Sequence, residues 1–342
     1  MNLFNFRFNS VIGIEISSTA IKLVELSQVG TNFHIESYAI EILPENLKMD
    51  ILIDTIRRVV KRAKPRTKYT AIAVGGTTVF TKNIRMERGL SNEDIKTQVE
   101  TECIQNINKS LEDIYLDFQV FKSNNHIDVL IATCQKNTLD DKIKLIKQAG
   151  LIPKIVDIDK LALANALQLL IENNPELNNN EIIGLIDIGA TTMTMNVFYG
   201  DKILYTDKKL FGCQQLTKQI QAYYSYNYLQ AELAQRYQNI PDELLESFKT
   251  NMTQEISRIV QTYYSSHKSD KLSHLLITGG GSSIPNIIKP IYTKVGGHVS
   301  IVNPMASMSI ASRINKAALM KDAPTLMIAC GLALRSFDQN LS

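Results

Sequence analysis

Cysteine and histidine are scarce in this sequence, and neither is grouped. The four cysteines, Cys103, Cys134, Cys213 and Cys330, lack C-x-x-C spacing and fall in apolar or helical contexts. They read as buried free thiols of a reducing compartment, not as metal ligands or disulfides. The five histidines, His34, His126, His267, His274 and His298, cluster with no cysteine or carboxylate. A metal site built on these residues, or a Ser-His-Asp triad, therefore has little support. Charge of one sign is lacking too. Lys and Arg number 37 against 34 Asp and Glu, a net charge of +3. That balance makes no strong electrostatic case for nucleic acid or an anionic surface as a partner. No run approaches the ~20 apolar residues of a membrane span. The first residues, MNLFNFRFNS, lack the apolar core of a signal peptide. Phe4, Phe6 and Phe8 alternate there with polar residues. They read as a frayed terminus or an edge strand, and contact with a membrane or a partner is the other use for them.

What is present is a turn written twice. Val11 to Leu26 reads VIGIEISSTAIKLVEL, and Ile182 to Phe198 reads IIGLIDIGATTMTMNVF. Each is an apolar strand ending in a carboxylate, Glu15 or Asp187, then a small-residue turn, then a second β-rich strand. The 342 residues suffice for two lobes, each with its own core. The rest of the chain fits that division. Both halves read as three strands followed by alternating helices and strands, allowing for insertions. The first lobe is expected over residues 1–180. A βαββα block over about 85–153 interrupts it, and a capping pair at Ser91 and Asp94 starts that block's first helix. The Asn- and Pro-rich stretch Asn173–Glu181 reads as a surface connection. The second lobe is expected over 181–322, with a helical region over about 214–270. Residues 323–342 are expected to form a C-terminal helix returning to the lobe interface.

Three segments carry chemistry. In EISSTAIK, the backbone N–H groups of a tight turn form a nest for phosphate oxygens. Ser17 and Ser18 are small enough to let it approach, and Lys22 supplies a cation. A plain hairpin with a surface lysine would look the same. In DIGATTMT, Gly189 permits a positive φ if the turn demands one. Ala190, Thr191 and Thr192 leave room for a phosphate, and Asp187 can hold Mg²⁺ through water. A carboxylate capping its own turn is the alternative for Asp187. In TGGGSSIPNI, Gly279, Gly280, Gly281 and Ser282 leave a buried strand and are expected to open a helix, whose N-terminus favours anions. No G-K-[ST] follows, so this is not a Walker A loop.

Together these segments resemble the nucleotide site of the actin-like ATPase superfamily, which includes actin, DnaK-type chaperones, sugar kinases and FtsA. The resemblance implies an α/β, actin-like (ribonuclease-H-like) duplicated two-lobe fold with mixed sheets flanked by helices. It places Glu15, Ser17, Ser18 and Lys22 on the first phosphate loop. Asp187, Gly189, Ala190 and Thr191 fall on the second, with Thr192 beside them. Gly279 to Ser282 fall on the adenosine motif, and Gly331 falls where two connecting helices, Asp159–Leu170 and Ala323–Ser336, meet. ATP or ADP with Mg²⁺ held through water by Asp187 and Glu15 is the implied cofactor. The block after TKNIRM lies where FtsA carries its extra subdomain. The strings IEISSTAIKLVELS, YAIEILPEN, IDIGATTMTM, LFGCQQLTKQI and DAPTLMIACGLALRSFD resemble the PilM family, cytoplasmic actin-like proteins of the type IV pilus inner-membrane assembly complex.

That resemblance implies a pilus-assembly scaffold that docks the cytoplasmic N-terminal peptide of PilN in a groove involving parts of Arg85–Pro153. It also implies a place at the cytoplasmic side of the inner membrane, reached through protein partners. Other inner-membrane complex and motor proteins, or further copies of the chain, are possible partners. Two departures bear on hydrolysis. Glu15 stands where most of the superfamily has Asp, and Ser17 where actin-like loops often have Gly. Both suggest that ATP is bound but hydrolysed weakly or not at all. The catalytic residue is not identified. Asp159 is a candidate, with a helix N-cap as its other reading. Two further functions fit the superfamily. A small-molecule kinase would need an acceptor site, for which there is no motif. An FtsA-like membrane-associated polymer would need a C-terminal amphipathic helix, and the chain stops at RSFDQNLS.

Overall fold

The computed structural model describes residues 10–45, 47–107, 110–122, 125–237 and 239–337. Phe4, Phe6 and Phe8 lie outside the described residues. The first lobe opens with an antiparallel meander, β1 (Ile12–Ile16), β2 (Ala20–Val29) and β3 (Asn32–Ile42). Helix α1 (Met49–Ala63) follows and covers one face, burying Ile56 and Val59. Strand β4 (Tyr69–Val74) returns parallel to β1.

The inserted unit comes next: β5 (Val79–Met86), α2 (Asn92–Asn106), β6 (Ile114–Lys122) and β7 (Ile127–Gln135), with α3 (Lys136–Gln148) following it. Its three strands form their own sheet in the order β5-β7-β6. Helix α2 starts on the Ser91–Asp94 capping box and lays Ile95, Val99 and Cys103 on that sheet. The insertion is offset from the expected 85–153. It begins at Val79, because β5 pairs along its whole length with β7. It ends before α3, whose Leu145 and Ile146 join the first-lobe core.

Strand β8 (Ile152–Ile158) and helix α4 (Asp159–Asn173) complete the first lobe. The connection after α4 is not purely surface: Leu177 is buried beneath it.

The second lobe repeats the order with β9 (Ile182–Ile188), β10 (Met193–Tyr199) and β11 (Lys202–Lys209). Helices α5 (Gln214–Tyr224), α6 (Tyr228–Arg236) and α7 (Asp242–Ser266) follow. Strand β12 (His274–Thr278), helix α8 (Ile288–Val295) and strand β13 (His298–Ile301) close its sheet. The chain then crosses back. Strand β14 (Ser309–Ile310) pairs with β3, and α9 (Lys316–Asp322) and α10 (Met327–Leu334) follow. The return therefore precedes residue 323, where it was expected. Met305, Met308 and Leu319 already pack with Val24, Leu26 and Ile35 of the first lobe.

The sheets run β14-β3-β2-β1-β4-β8 and β11-β10-β9-β12-β13. Without β14 the two orders match strand for strand, so the duplication seen in the sequence is a duplication of topology. The last helices are exchanged between lobes. Helix α4 buries Leu163, Ala166 and Leu167 against Leu185 and Leu276 of the second sheet. Helix α10 lies on β1 and β2 of the first. One correction concerns apolar runs. Lys316–Phe337 is long and apolar enough, by length and composition, to cross a membrane, yet half of it is buried inside the protein. Helix α10 is apolar all round because it has a sheet on one side and α4 on the other. All four cysteines are buried and free.

Candidate nucleotide-binding cleft

Both repeated turns open into one cleft, of about 330 Å³, between the lobes. In the first, β1 pairs with β2 so that Glu15 sits directly opposite Lys22. That register produces an ion pair, Lys22 Nζ to Glu15 Oε1 at 2.8 Å, with both side chains largely buried. The turn closes through Ser17, whose N–H and hydroxyl both donate to the Ala20 carbonyl, at 3.0 and 2.9 Å. In the second, β9 pairs with β10 so that Asp187 sits opposite Thr194. The equivalent of Lys22 is thus a threonine, and Asp187 has no cross-strand cation. Burial pushes its carboxyl up to about 6; Lys22 opposes that shift and Glu15 adds to it.

Gly189 does not adopt a positive φ, so the expected reason for it does not hold. Its value is closeness: a Cβ there would lie 3.0 Å from the Thr192 carbonyl, whose oxygen the Gly189 N–H bonds at 2.8 Å. The start of α5 is clamped to the same turn. Cys213 N–H donates to Gly189 O and Gln214 N–H to Ala190 O, at 3.0 and 2.8 Å. Burial raises the Cys213 thiol to about 12, so it is inert packing.

The glycine run behaves differently from the sequence expectation. Gly280–Ser283 is a short 3₁₀ turn, and the helix begins only at Ile288. A full helix dipole therefore does not point from Gly279 into the cleft. The glycines serve close packing instead. Gly279 has φ +82, and a Cβ on it would lie 2.2 Å from Asp187 Oδ1. A Cβ on Gly281 would strike Ile188.

Of the predicted residues, Glu15, Ser17, Ser18, Lys22, Asp187, Gly189, Ala190, Thr191, Thr192, Gly279 and Gly280 line the cleft. Gly281 and Ser282 are buried behind it, Ser282 donating to Gly279 O at 2.6 Å. Gly331 does not line it either. A Cβ there would lie 1.7 Å from Ala162 O, so Gly331 is a helix-crossing residue between α10 and α4.

Asp159 also lines the cleft. It is the first residue of α4 and makes no capping bond, so the N-cap reading is overturned. Its side chain enters through a gap left by Gly75, whose Cβ would fall 1.7 Å from Asp159 Oδ2. Burial raises its carboxyl to about 6. Lys142 opposes that, and Glu15 and Asp187 reinforce it.

Sequence reasoning missed a further part of the lining. Glu232, Gln235 and Arg236 of α6, with Lys321, Asp322 and Thr325, also face the cleft. The i, i+3, i+4 spacing of the α6 trio puts them on one helix face, the available signal. The Thr217 hydroxyl holds Glu232 Oε1 at 2.7 Å. Arg236 Nη2 contacts both oxygens of Asp322, at 2.9 and 3.0 Å.

Three carboxylates and Lys22 thus lie near one another, and polar side chains of α6 line the same cleft. The all-oxygen donor set suits a hard cation such as Mg²⁺. Glu15 Oε2 is buried with no partner, which a hydrated cation would satisfy. Among the described residues no three His, Cys, Asp or Glu side chains form a direct metal cage. The pH behaviour follows from the raised carboxyls. Asp159 and Asp187 titrate near 6 in the fold against 3.8 unfolded. Their contribution to stability is therefore full below 3.8 and lost as pH rises through about 6. A cation needs the ionised forms, so its affinity runs the other way. If nucleotide binds in this cleft with Mg²⁺, the Mg²⁺-dependent gain in its affinity should fall at least tenfold, roughly, from pH 7 to pH 5. Calorimetry at both pH values checks this, and a pH-independent gain refutes it.

A family model for the type IV pilus assembly protein PilM matches residues 13–337. The solved PilM–PilN type IV pilus biogenesis complex superposes with a TM-score of 0.79 at 22% identity, covering 96% of this chain and 99% of that one. The ethanolamine utilization protein EutJ from Carboxydothermus hydrogenoformans superposes with a TM-score of 0.53 at 14% identity, over 95% of this chain and 89% of that one. The fold is actin-like.

Proposed function

Because the chain belongs to the PilM family of type IV pilus assembly proteins, we propose that it is a nucleotide-gated docking platform of the pilus machinery. ATP or ADP with Mg²⁺ occupies the cleft between the lobes. The backbone turns at Ser17–Thr19 and Gly189–Thr192 receive the phosphates, and Lys22 meets their charge. Asp187, Glu15 and Asp159 orient the water shell of the cation, which screens the phosphates. Gly279 and Gly280 lie against the nucleoside, and Glu232, Gln235 and Arg236 reach its sugar. The observation that carries this reading is the facing pair of hairpins with Glu15, Asp187 and Lys22 lining a single cleft. Hydrolysis is slow or absent on this reading, since Glu15 is already engaged by Lys22. Asp159 is the remaining group able to accept a proton from water.

A solved relative is a complex of PilM with PilN. Carried to this chain, the cytoplasmic tail of PilN binds where the inserted sheet meets the first lobe. Val79, Ala132 and Ile143 are only partly buried at that junction and offer apolar contact. The exchanged helices α4 and α10 link cleft closure to the lobes' relative position, so nucleotide changes affinity for the tail. The chain then works in the cytoplasm, held beside the inner membrane by its partner. Anisotropy of a labelled PilN N-terminal peptide, titrated with the full chain, tests this. Binding is expected with and without Mg-ATP, with affinities differing severalfold. No binding rejects docking, and equal affinities reject the coupling.

A further inference from the structure

The chain is nearly neutral as a whole, yet its cations are not evenly spread. Residues 57–68 read RRVVKRAKPRTK: seven of twelve are basic and none is acidic. With a net charge of +3 for the whole chain, the remainder is net acidic. All seven, on the last turns of α1 and the loop to β4, are exposed. Ion pairing accounts for part of the run. Arg57, Arg62 and Arg66 meet Asp54, Glu41 and Glu36. The helix terminus accounts for more, since Lys61 and Arg62 lie in the last turn of α1, where cations are favoured. Lys64 and Lys68 lie beyond the helix. Among the described residues, Arg58, Lys61, Lys64 and Lys68 have no carboxylate within ion-pair distance.

The surface continues past the segment. Arg57 donates to the Gln148 carbonyl at 2.9 Å, which brings the end of α3 alongside, with Lys144 and Lys147 exposed. On the other flank Lys154 sits over the Tyr69 ring at 5.9 Å. Tyr69 is 41% exposed, and its strand partner Ile152 47%. A broad basic face edged by an exposed aromatic and an aliphatic side chain has the composition of a membrane-surface contact. Cations meet anionic headgroups there and tyrosine lies at their level.

We infer that this face of the first lobe rests on the anionic surface of a lipid bilayer. The inference rests on the docking reading above for its geometry: the tail of a membrane protein bound beside α3 holds this lobe near the bilayer. The tail and the basic face are then two weak attachments acting together, the usual requirement for stable peripheral binding. The lipid contact also fixes which side of the lobe faces the membrane.

The test uses the full chain without peptide or nucleotide. It is sedimented with vesicles of phosphatidylcholine, or of phosphatidylcholine mixed with phosphatidylglycerol. Binding is expected to the mixed vesicles only, weakening steeply as salt is raised. The combined variant Lys61→Gln, Lys64→Gln and Lys68→Gln should lose roughly a hundredfold in partitioning. These side chains are exposed, so its melting temperature should fall by no more than about 4 °C, from the cation lost at the end of α1. Equal binding to both vesicles, no binding to either, or undiminished binding by the variant would overturn the inference. So would full displacement by soluble polyglutamate at a charge concentration equal to that of the vesicles, which would assign the face to an acidic protein. The peptide titration above contains no lipid, so failure of the docking reading shows there separately.

Discussion

Replacing Gly331 with alanine should destabilise the protein by about 3 kcal/mol or more. The reason is the position of α10. Ala329 and Ala333, four residues apart, share one face, and that face lies against Gly13 of β1. A Cβ on Gly13 would fall 2.1 Å from Ala329 O and 2.6 Å from Ala333 N. Gly331 points the other way, where its Cβ would meet Ala162 O at 1.7 Å. Both obstacles are backbone, so no rotamer change relieves them, and α10 cannot move away from one without striking the other. Gly30 is the control. It has φ +63 in an open turn with nothing within 4 Å, and alanine there should cost only about 1 kcal/mol. Urea unfolding of both variants makes the comparison. Similar midpoints would mean that α10 is not wedged between β1 and α4.

The second large effect concerns Lys22. Replacing it with alanine should lower nucleotide affinity by roughly a hundredfold and destabilise the unliganded fold. Lys22 is the cation set among the carboxylates of the cleft, and its side chain is only 14% exposed. Without it Glu15 is left buried and unpaired beside Asp187, and incoming phosphates lose the cation set between those two carboxylates. Asp187→Ala should act with the opposite sign on stability. That carboxyl sits high because its charged form is disfavoured, so deleting it should leave the unliganded protein as stable or more so at pH 7. It should still abolish the Mg²⁺-dependent part of nucleotide binding. Calorimetry with and without Mg²⁺, alongside thermal melts, separates the two. Unchanged affinity in both variants would remove the hairpins from the phosphate site. A stability loss at Asp187→Ala as large as at Lys22→Ala would show that Asp187 is not strained.

How much of this was legible beforehand differs by element. The two hairpins were readable because each is local. Its strands are joined by a turn of a few residues, so alternation of apolar and polar positions sets the register. That register puts Glu15 against Lys22 and Asp187 against Thr194. The asymmetry expected from Glu15 and Ser17 has a further source in the second hairpin, where threonine replaces the lysine. The glycine run was readable as a close approach of backbone but not as a shape, and only Gly279 and Gly280 of it reach the cleft. Three glycines can open a helix or a 3₁₀ turn, and the contact with Ile188 and Asp187 decides between them. Asp159 has two readings in the sequence because a first-turn carboxylate serves either role equally well. Gly75, far away in the chain, is what gives its side chain room in the cleft.

The sequence by itself determined the duplication, the family and the two turns that line the cleft, since all three lie in short continuous strings whose residue sizes and charges are specific. Tertiary structure alone decided the part of the cleft lining on α6, the exchange of α4 and α10 between lobes, and the early return of the chain at β14. It also decided that Gly331 spaces helices and does not touch the site. These depend on contacts between segments far apart in the chain, made largely by alanine, leucine and glycine. Such residues fit many neighbours, so their pattern marks burial without naming the partner. The basic face lies between the two cases. Its cations are plain in residues 57–68, but only the fold leaves all seven exposed and sets Lys144, Lys147, Tyr69 and Ile152 around them.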